Sequence, residues 1–197
     1  MEINGKVWIS NQYKAKDYWV LDLSKPYGGD WFKAIDIFRD RIYGRFINQI
    51  TELNKKPESN GFAAIALCCL LIDAMYQFEY GTMGKMYNKA RYKQILREHM
   101  PDVFNSDAIA EKFYCDIRCG ILHSAETGHG SQLAVGKDYV VCLSPNREYV
   151  SVDVVNMADR LKEYVDDYCD RLIAYNSTTR SNFKKKMNYL CERPSFS

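Results

Sequence analysis

Residues 61–78, GFAAIALCCLLIDAMYQF, constrain the fold most strongly because they are apolar on nearly every face of a helix. A helix that is hydrophobic all round has to be buried, so this segment predicts a central core helix. Its longest apolar part, residues 62–76, is interrupted by Asp73 and falls short of the roughly 20 residues that cross a bilayer. The segment therefore predicts a protein core and no membrane span.

Four further segments carry apolar residues at the spacings of three and four that are typical of amphipathic helices. They are residues 31–53 with Asp30 as a helix cap, a helix starting at Ser106 or Asp107 and running to about residue 125, residues 154–173, and residues 178–191. Between residues 132 and 153, the β-branched segments QLAV, YVVCL and YVSVDV flank the turns GKD and SPNRE. The pattern predicts a mainly α fold of five to six helices with a small antiparallel β element near residues 132–153.

A length of 197 residues fits one domain. We expect a single domain over residues 1–197. Within it, the aromatic and turn-rich residues 1–30 form an N-terminal arm, residues 31–130 form the core bundle, and residues 131–197 add the β insert and the C-terminal helices.

Composition narrows the class of protein without giving its function. Hydrophobic residues make up 47% of the chain and charged residues 26%, which is typical of a globular domain. The formal net charge of +2 is too small to indicate nucleic-acid binding by itself. The seven cysteines are odd in number and two of them, Cys68 and Cys69, are adjacent in an apolar run, so they predict reduced thiols. Residues 1–10 lack the pattern of a signal peptide, and we expect a cytoplasmic protein.

The segment FYCDIRCGILHSAETGHG, residues 113–130, places Arg118 and His123 five positions apart with Gly120 between them. On an α-helix this spacing is about 500°, so the two side chains point roughly 140° apart. Imidazole exchanges protons near neutral pH, and guanidinium binds phosphoryl oxygens, so together they suit phosphodiester chemistry. The structural alternative is a core histidine near a helix end and a surface arginine paired with Glu111 or Glu126.

The arginine, four intervening residues and the histidine resemble the motif of the HEPN superfamily, an arginine followed after four to six residues by a histidine. Three segments in the same order strengthen the resemblance, which covers most of residues 30–130: IFRDRIYGRFINQI, GFAAIALCCLLIDAMYQF and FYCDIRCGILHSAET. The resemblance implies a helical domain that forms a homodimer in which Arg118 and His123 of both protomers line one cleft. Many such proteins are metal-independent endoribonucleases, without cofactors, in toxin–antitoxin, abortive-infection and antiviral systems.

The implied reaction is attack of an RNA 2′-hydroxyl on the adjacent phosphorus, with His123 of each protomer as acid or base and Arg118 on the phosphate. The divergent directions of the two side chains then require a second subunit or a kink at Gly120 to bring them to one substrate. Many active relatives have a polar residue, often asparagine, directly after the arginine, where this chain has Cys119. That departure favours the alternative, a non-catalytic HEPN-like module that binds RNA, a nucleotide or a partner protein. For a toxin or defence effector, the resemblance also implies an antitoxin or a defence-system partner protein.

Residues that flank the pair are candidates for supporting roles. Glu126 follows His123 by three positions and is expected to orient the imidazole across one helical turn. Asp116 precedes Arg118 by two positions, and Tyr114 is a candidate for stacking on a base, with core packing as its alternative. A zinc site is a competing interpretation of the same segment. Its ligands would be Cys115, Cys119 and His123, which are spaced four residues apart, with His129 as the fourth.

Three basic segments are candidates for RNA contacts, and a solvated surface is the alternative for each. They are Arg41 and Arg45 along the first long helix, the tyrosine-containing stretch from Lys85 to Arg97, and the cluster Lys184, Lys185 and Lys186.

Overall fold

The computed structural model describes residues 7–83 and 88–191. The fold is mainly helical with a small three-stranded sheet, which confirms the predicted class. Two helices change winding along their length: α2 (Gly29–Ile42) continues through the π-helical turn π1 (Tyr43–Ile47) into α3 (Asn48–Leu53), and α6 (Asp107–Lys112) continues into the π-helix π2 (Phe113–Ser124). The remaining elements are α1 (Ala15–Trp19), α4 (Pro57–Glu79), α5 (Lys89–His99), β1 (Gln132–Ala134), β2 (Val141–Leu143), β3 (Val150–Asp153), α7 (Val154–Ile173) and α8 (Ser177–Cys191).

When α2 to α3 and α6 to π2 are each counted as one continuous helix, the described residues contain seven helices. The sequence predicts five to six. The additional helices are α1, inside the predicted arm, and α5. Helix α1 is only five residues long, and so short a segment gives too few turns for a helical period to be recognised.

The predicted helix starts differ from the structure at two positions. The cap of α2 is Gly28 rather than Asp30, because the Asp30 carboxylate accepts a hydrogen bond from the backbone of Asp22 instead. Helix α4 begins at Pro57, four residues before the predicted start. A proline fits the first turn of a helix, where its missing N–H has no helical partner in any case.

The three strands form a mixed sheet, so the antiparallel prediction is correct for only one of its two pairings. The strand order is β1-β3-β2, with β2 antiparallel and β1 parallel to β3. Strand β2 connects to β3 through a tight turn, where Ser144 Oγ accepts hydrogen bonds from the backbone of Glu148 and Tyr149. Strand β1 lies on the opposite edge of β3. Hydrophobic alternation identifies strands but does not determine which edge an earlier strand joins.

The described residues group into two compact units. The first comprises residues 7–48, 77–83 and 165–191, and its core is a cluster of aromatic rings. The Phe38 ring lies 4.8 Å from the Phe78 ring and 5.2 Å from the Tyr168 ring, measured between centroids. The buried Arg180 guanidinium stacks on Trp31, 4.0 Å from its ring centroid.

The second unit comprises residues 49–76 and 88–164, and most of α4 forms its centre. Ile65, Cys68, Cys69 and Ile72 on α4 are fully buried, as the apolar pattern predicts. Among the described residues, α4 is the one helix long and apolar enough to cross a membrane, and 56% of its most apolar window is buried inside the protein. A core helix has the same length and composition, so this is weak evidence for a membrane span.

After π2 the chain turns back along the same helix, and we call residues 125–131 the return loop. Ala125 takes a left-handed conformation (φ 54°), and the Gly128 N–H donates to the Asp116 carbonyl at 2.7 Å. The Glu126 carbonyl lies so close to Gly120 that a Cβ built on the glycine would be 2.4 Å from it. Gly120 is therefore required for close approach of the loop rather than for a kink.

We predict that Gly120→Ala destabilises the protein by about 1–3 kcal/mol, because the added methyl group collides with backbone that cannot rotate away. Gly29→Ala is the matched control, since a Cβ at Gly29 meets nothing within 4 Å and α2 begins there. Urea unfolding of both variants measures the difference. Equal stability of the two variants would contradict the packing described for Gly120.

Candidate active site on the π-helix

The wide winding of π2 brings Arg118 and His123 together within one chain. Hydrogen bonds in a π-helix run from residue i to residue i+5, so residues five apart lie about one turn above each other. Arg118 Nη1 is 3.2 Å from His123 Nε2. The expectation that a second subunit or a kink must compensate for divergent side chains was wrong, because it assumed α-helical winding.

The contact fixes the form of the imidazole in this conformation. A guanidinium has only donors, so Arg118 Nη1 donates and His123 Nε2 accepts. A histidine whose Nε2 accepts a hydrogen bond is neutral and carries its proton on Nδ1. His123 is exposed, whereas the Arg118 side chain is only 13% exposed. The pair therefore presents an imidazole to solvent with its Nε2 lone pair bound by the guanidinium.

Asp73 holds the other side of the guanidinium. Arg118 Nη2 donates to Asp73 Oδ2 at 3.0 Å, and the Asp73 side chain is 18% exposed. This contact joins α4 to π2 and fixes the direction of the guanidinium plane. Sequence reasoning noted Asp73 only as an interruption of the apolar helix. The usable signal was physical: a carboxylate in a buried helix needs a partner.

Burial has different net effects on the two charged groups of this ion pair. Burial raises the pKa of Asp73 above its ordinary value, and Arg118 offsets only part of this effect. Burial opposes the charged form of Arg118 too, but the hydrogen bond and charge of Asp73 outweigh it and raise the pKa of the guanidinium. The arginine thus stays cationic, while the ionised carboxylate is maintained at a cost in free energy.

Two tyrosines and two cysteines surround the pair. The Tyr114 ring centroid lies 5.8 Å from Arg118 Cζ and 5.3 Å from the ring centroid of the buried Tyr92. Burial raises the pKa of Cys69 to about 12, so this thiol is neutral at physiological pH. The half-buried Cys119 thiol lies beside both the Tyr114 hydroxyl and the Arg118 guanidinium. Tyr114 and Cys119 thus both lie next to Arg118.

Asp116 contacts the return loop, and Glu126 is exposed. The Asp116 side chain is 1% exposed, and its two oxygens contact His129 Nδ1 at 3.0 Å and Ser131 Oγ at 2.9 Å. Through these contacts it anchors the return loop. Glu126 is exposed, and within residues 7–83 and 88–191 the recorded hydrogen bond of His123 is with Arg118, not with Glu126.

The zinc interpretation lacks a donor set in the part of the chain that the structure describes. No group of three or more His, Cys, Asp or Glu side chains there could hold a metal ion. His129, the suggested fourth ligand, hydrogen-bonds to Asp116 instead. All seven cysteines are free thiols in this structure.

The basic residues divide between exposed and engaged side chains. Arg45 and Lys185 are exposed and Lys184 is half-buried, whereas Arg41 Nη1 donates to the Ile9 carbonyl. Lys186 is 5% exposed and donates to Gln77, so it offers no free amine to a phosphate in this conformation. All five belong to the first unit, while Arg118 and His123 belong to the second.

The predicted basic stretch from Lys85 to Arg97 is largely ion-paired where it is described. Lys89 and Lys93 contact Glu111, and both Lys93 and Arg97 contact Asp107. Tyr92 is buried and unavailable for base stacking. Lys85 and Tyr87 lie outside the described residues.

We predict that Arg118→Met destabilises the protein by about 1–3 kcal/mol at pH about 7, because it leaves the Asp73 carboxylate half-buried without its guanidinium. Since burial raises the folded-state pKa of Asp73, a protonated Asp73 favours the folded state, and this stabilisation is lost as the pH rises through that pKa. The loss of stability should therefore shrink toward pH about 4.

Chemical denaturation at the two pH values measures this effect. The double variant Asp73→Asn, Arg118→Met removes the carboxylate as well and serves as the control. Its free energy of unfolding should lack the pH dependence that Asp73 adds in Arg118→Met. A penalty for Arg118→Met that is the same at both pH values would contradict the account.

No protein-family model matches this chain, and no curated protein and no solved structure shows significant similarity to it. The function is therefore argued from the site itself.

Proposed function

We propose that this chain is a HEPN-like, metal-independent endoribonuclease that cleaves single-stranded RNA, with Arg118 and His123 as its catalytic residues. The observation that carries the proposal is the 3.2 Å contact between Arg118 Nη1 and His123 Nε2 at the exposed end of π2. The contact joins a guanidinium, a group suited to binding phosphoryl oxygens, to an imidazole, a group suited to acid–base catalysis. A toxin or antiviral effector in the cytoplasm, controlled by an antitoxin or another partner protein, is the setting that the resemblance implies.

In the proposed reaction the scissile phosphate replaces His123 as the partner of the Arg118 guanidinium. His123 Nε2, released from that contact, takes the proton of the 2′-hydroxyl, whose oxygen forms a bond to phosphorus. The bond from phosphorus to the 5′-oxygen breaks, and that oxygen receives a proton from a second imidazole. Arg118, held by Asp73, stabilises the negative charge that develops on the phosphoryl oxygens. Products are a 2′,3′-cyclic phosphate and a 5′-hydroxyl.

The need for a second imidazole supports a homodimer in which both copies contribute His123. An exposed apolar stripe on α4 leads to the site: Phe62 is 38% exposed, Leu70 is 42% exposed, and Leu70 lies one turn before Asp73. On π2, Tyr114 and Leu122 are half-buried. We propose that a second copy covers this stripe, because doing so excludes water next to the catalytic pair and brings a second His123 near it.

We predict that the purified protein cleaves labelled single-stranded RNA in the presence of EDTA and leaves the equivalent DNA intact, since DNA lacks the 2′-hydroxyl. His123→Asn should lower the cleavage rate by about 10²–10⁴-fold, because it removes the acid–base group. His129→Asn is the matched control, since asparagine tolerates the left-handed backbone of that position (φ 49°) and has an amide that can donate to Asp116.

Loss of cleavage in both variants, or in neither, would contradict the assignment of His123. Binding of RNA without cleavage by the wild-type protein would favour the non-catalytic module, for which Cys119 beside Arg118 is the supporting observation.

The dimer is tested separately from the chemistry. Leu70→Glu places a charge in the exposed stripe, so it should shift the protein toward monomer in sedimentation velocity and lower RNA cleavage in parallel. Val20→Glu, at a residue that is 79% exposed in the first unit, is the control. A wild-type protein that is monomeric while it cleaves RNA would disprove the dimeric site.

A further inference from the structure

His129 forms a second imidazole site that the proposed ribonuclease reaction does not use. It lies in the Gly128-His129-Gly130 turn of the return loop, with a left-handed backbone and a side chain that is 79% exposed. An exposed ring gains little from packing, so its position is set by its hydrogen bond. That bond joins His129 Nδ1 to Asp116 Oδ1 at 3.0 Å.

The Asp116 carboxylate is fixed from several directions. Its second oxygen accepts a hydrogen bond from Ser131 Oγ at 2.9 Å, and Lys112 Nζ lies 3.6 Å from the same atom. Ser131 Oγ in turn accepts from the backbone N–H of Val150 at 3.0 Å, which ties the carboxylate to β3. The Gly128 N–H binds the Asp116 carbonyl, so the return loop is held even without the imidazole. Fastening the loop therefore does not account for the histidine.

A carboxylate only accepts hydrogen bonds, so Nδ1 carries a proton, and in the neutral imidazole the lone pair is on Nε2. Nε2 lies on the opposite side of the ring from the bound Nδ1, on a side chain that is mostly exposed to solvent. A carboxylate bonded to one ring nitrogen of a histidine fixes the orientation and tautomer of the ring and leaves the other nitrogen available. We propose that His129 Nε2 is a phosphoryl-acceptor site, oriented by the Asp116 carboxylate and chemically distinct from the Arg118–His123 pair.

The chain contains three histidines, and their surroundings separate them. His123 Nε2 is bound by Arg118, which is a donor that competes for its lone pair. The His99 ring stacks on Tyr164 with 5.2 Å between ring centroids and is half-buried. His129 combines exposure with a carboxylate on the opposite nitrogen. The three therefore serve as internal controls for one another.

The acceptor step balances with a small phosphoryl donor such as phosphoramidate. The Nε2 lone pair attacks phosphorus, a nitrogen–phosphorus bond to the imidazole forms, and the bond from phosphorus to the donor's nitrogen breaks. In the zwitterionic donor the leaving group departs as ammonia without a further proton. The product ring is cationic and keeps its proton on Nδ1, where the Asp116 carboxylate stabilises it. The Lys112 ammonium adds a positive charge near the same carboxylate.

The test is incubation of the folded protein with phosphoramidate, followed by mass spectrometry that resolves the three histidines over time. We expect His129 to be phosphorylated at least about tenfold faster than His123 and His99. The product should be the Nε2 isomer alone, identified by its ring NMR signals. In urea the three histidines should react at similar rates, because the Asp116 contact is lost.

Asp116→Asn keeps the side-chain shape and removes the charge, so it should lower the His129 rate toward that of His123. If this variant does not fold, the comparison of native with urea-unfolded wild-type protein decides the question. Equal rates at all three histidines in the native protein, or phosphorylation at Nδ1 of His129, would overturn the proposal. The outcome is independent of RNA cleavage, since His129 has no part in that reaction.

Discussion

Hydrogen bonding from residue i to residue i+5 along π2 is the constraint on which the site depends. In an α-helix the same sequence would separate Arg118 from His123, whereas the π-helix sets them 3.2 Å apart. Long π-helices are rare, so this winding needs support from outside the helix. The return loop supplies it by packing on Gly120 and by bonding through Gly128 to Asp116.

A buried helix carries the second requirement of the site. Asp73 interrupts the apolar stretch of α4, and its burial raises the pKa of the carboxylate even beside Arg118. Stability alone gives no reason to keep such a group, because a buried ion pair gains little over well-packed apolar residues. The pair does fix the direction of the guanidinium, which a phosphate-binding arginine requires. The free-energy cost at Asp73 is thus coupled to the proposed chemistry at Arg118.

The sequence predicts the helices with strong periodicity and the burial of α4, because burial follows directly from apolar patterning. It also makes Arg118 and His123 candidates, but it assumes α-helical geometry for them, since residue patterns do not distinguish a π-helix from an α-helix. Asp73 and the Asp116–His129 contact could not be predicted, as they depend on contacts between distant segments. The parallel pairing of β1 with β3 escaped prediction for the same reason.

The most direct test of the account is the ring NMR spectrum of His123, recorded with long-range proton–nitrogen correlation at a pH where the imidazole is neutral. In the wild-type protein we expect a proton on Nδ1 and an Nε2 signal shifted by the hydrogen bond from Arg118, with that shift lost in Arg118→Met. A His123 spectrum that is identical in the two proteins would show that the guanidinium and the imidazole do not meet, and the account of the π-helical site would be wrong.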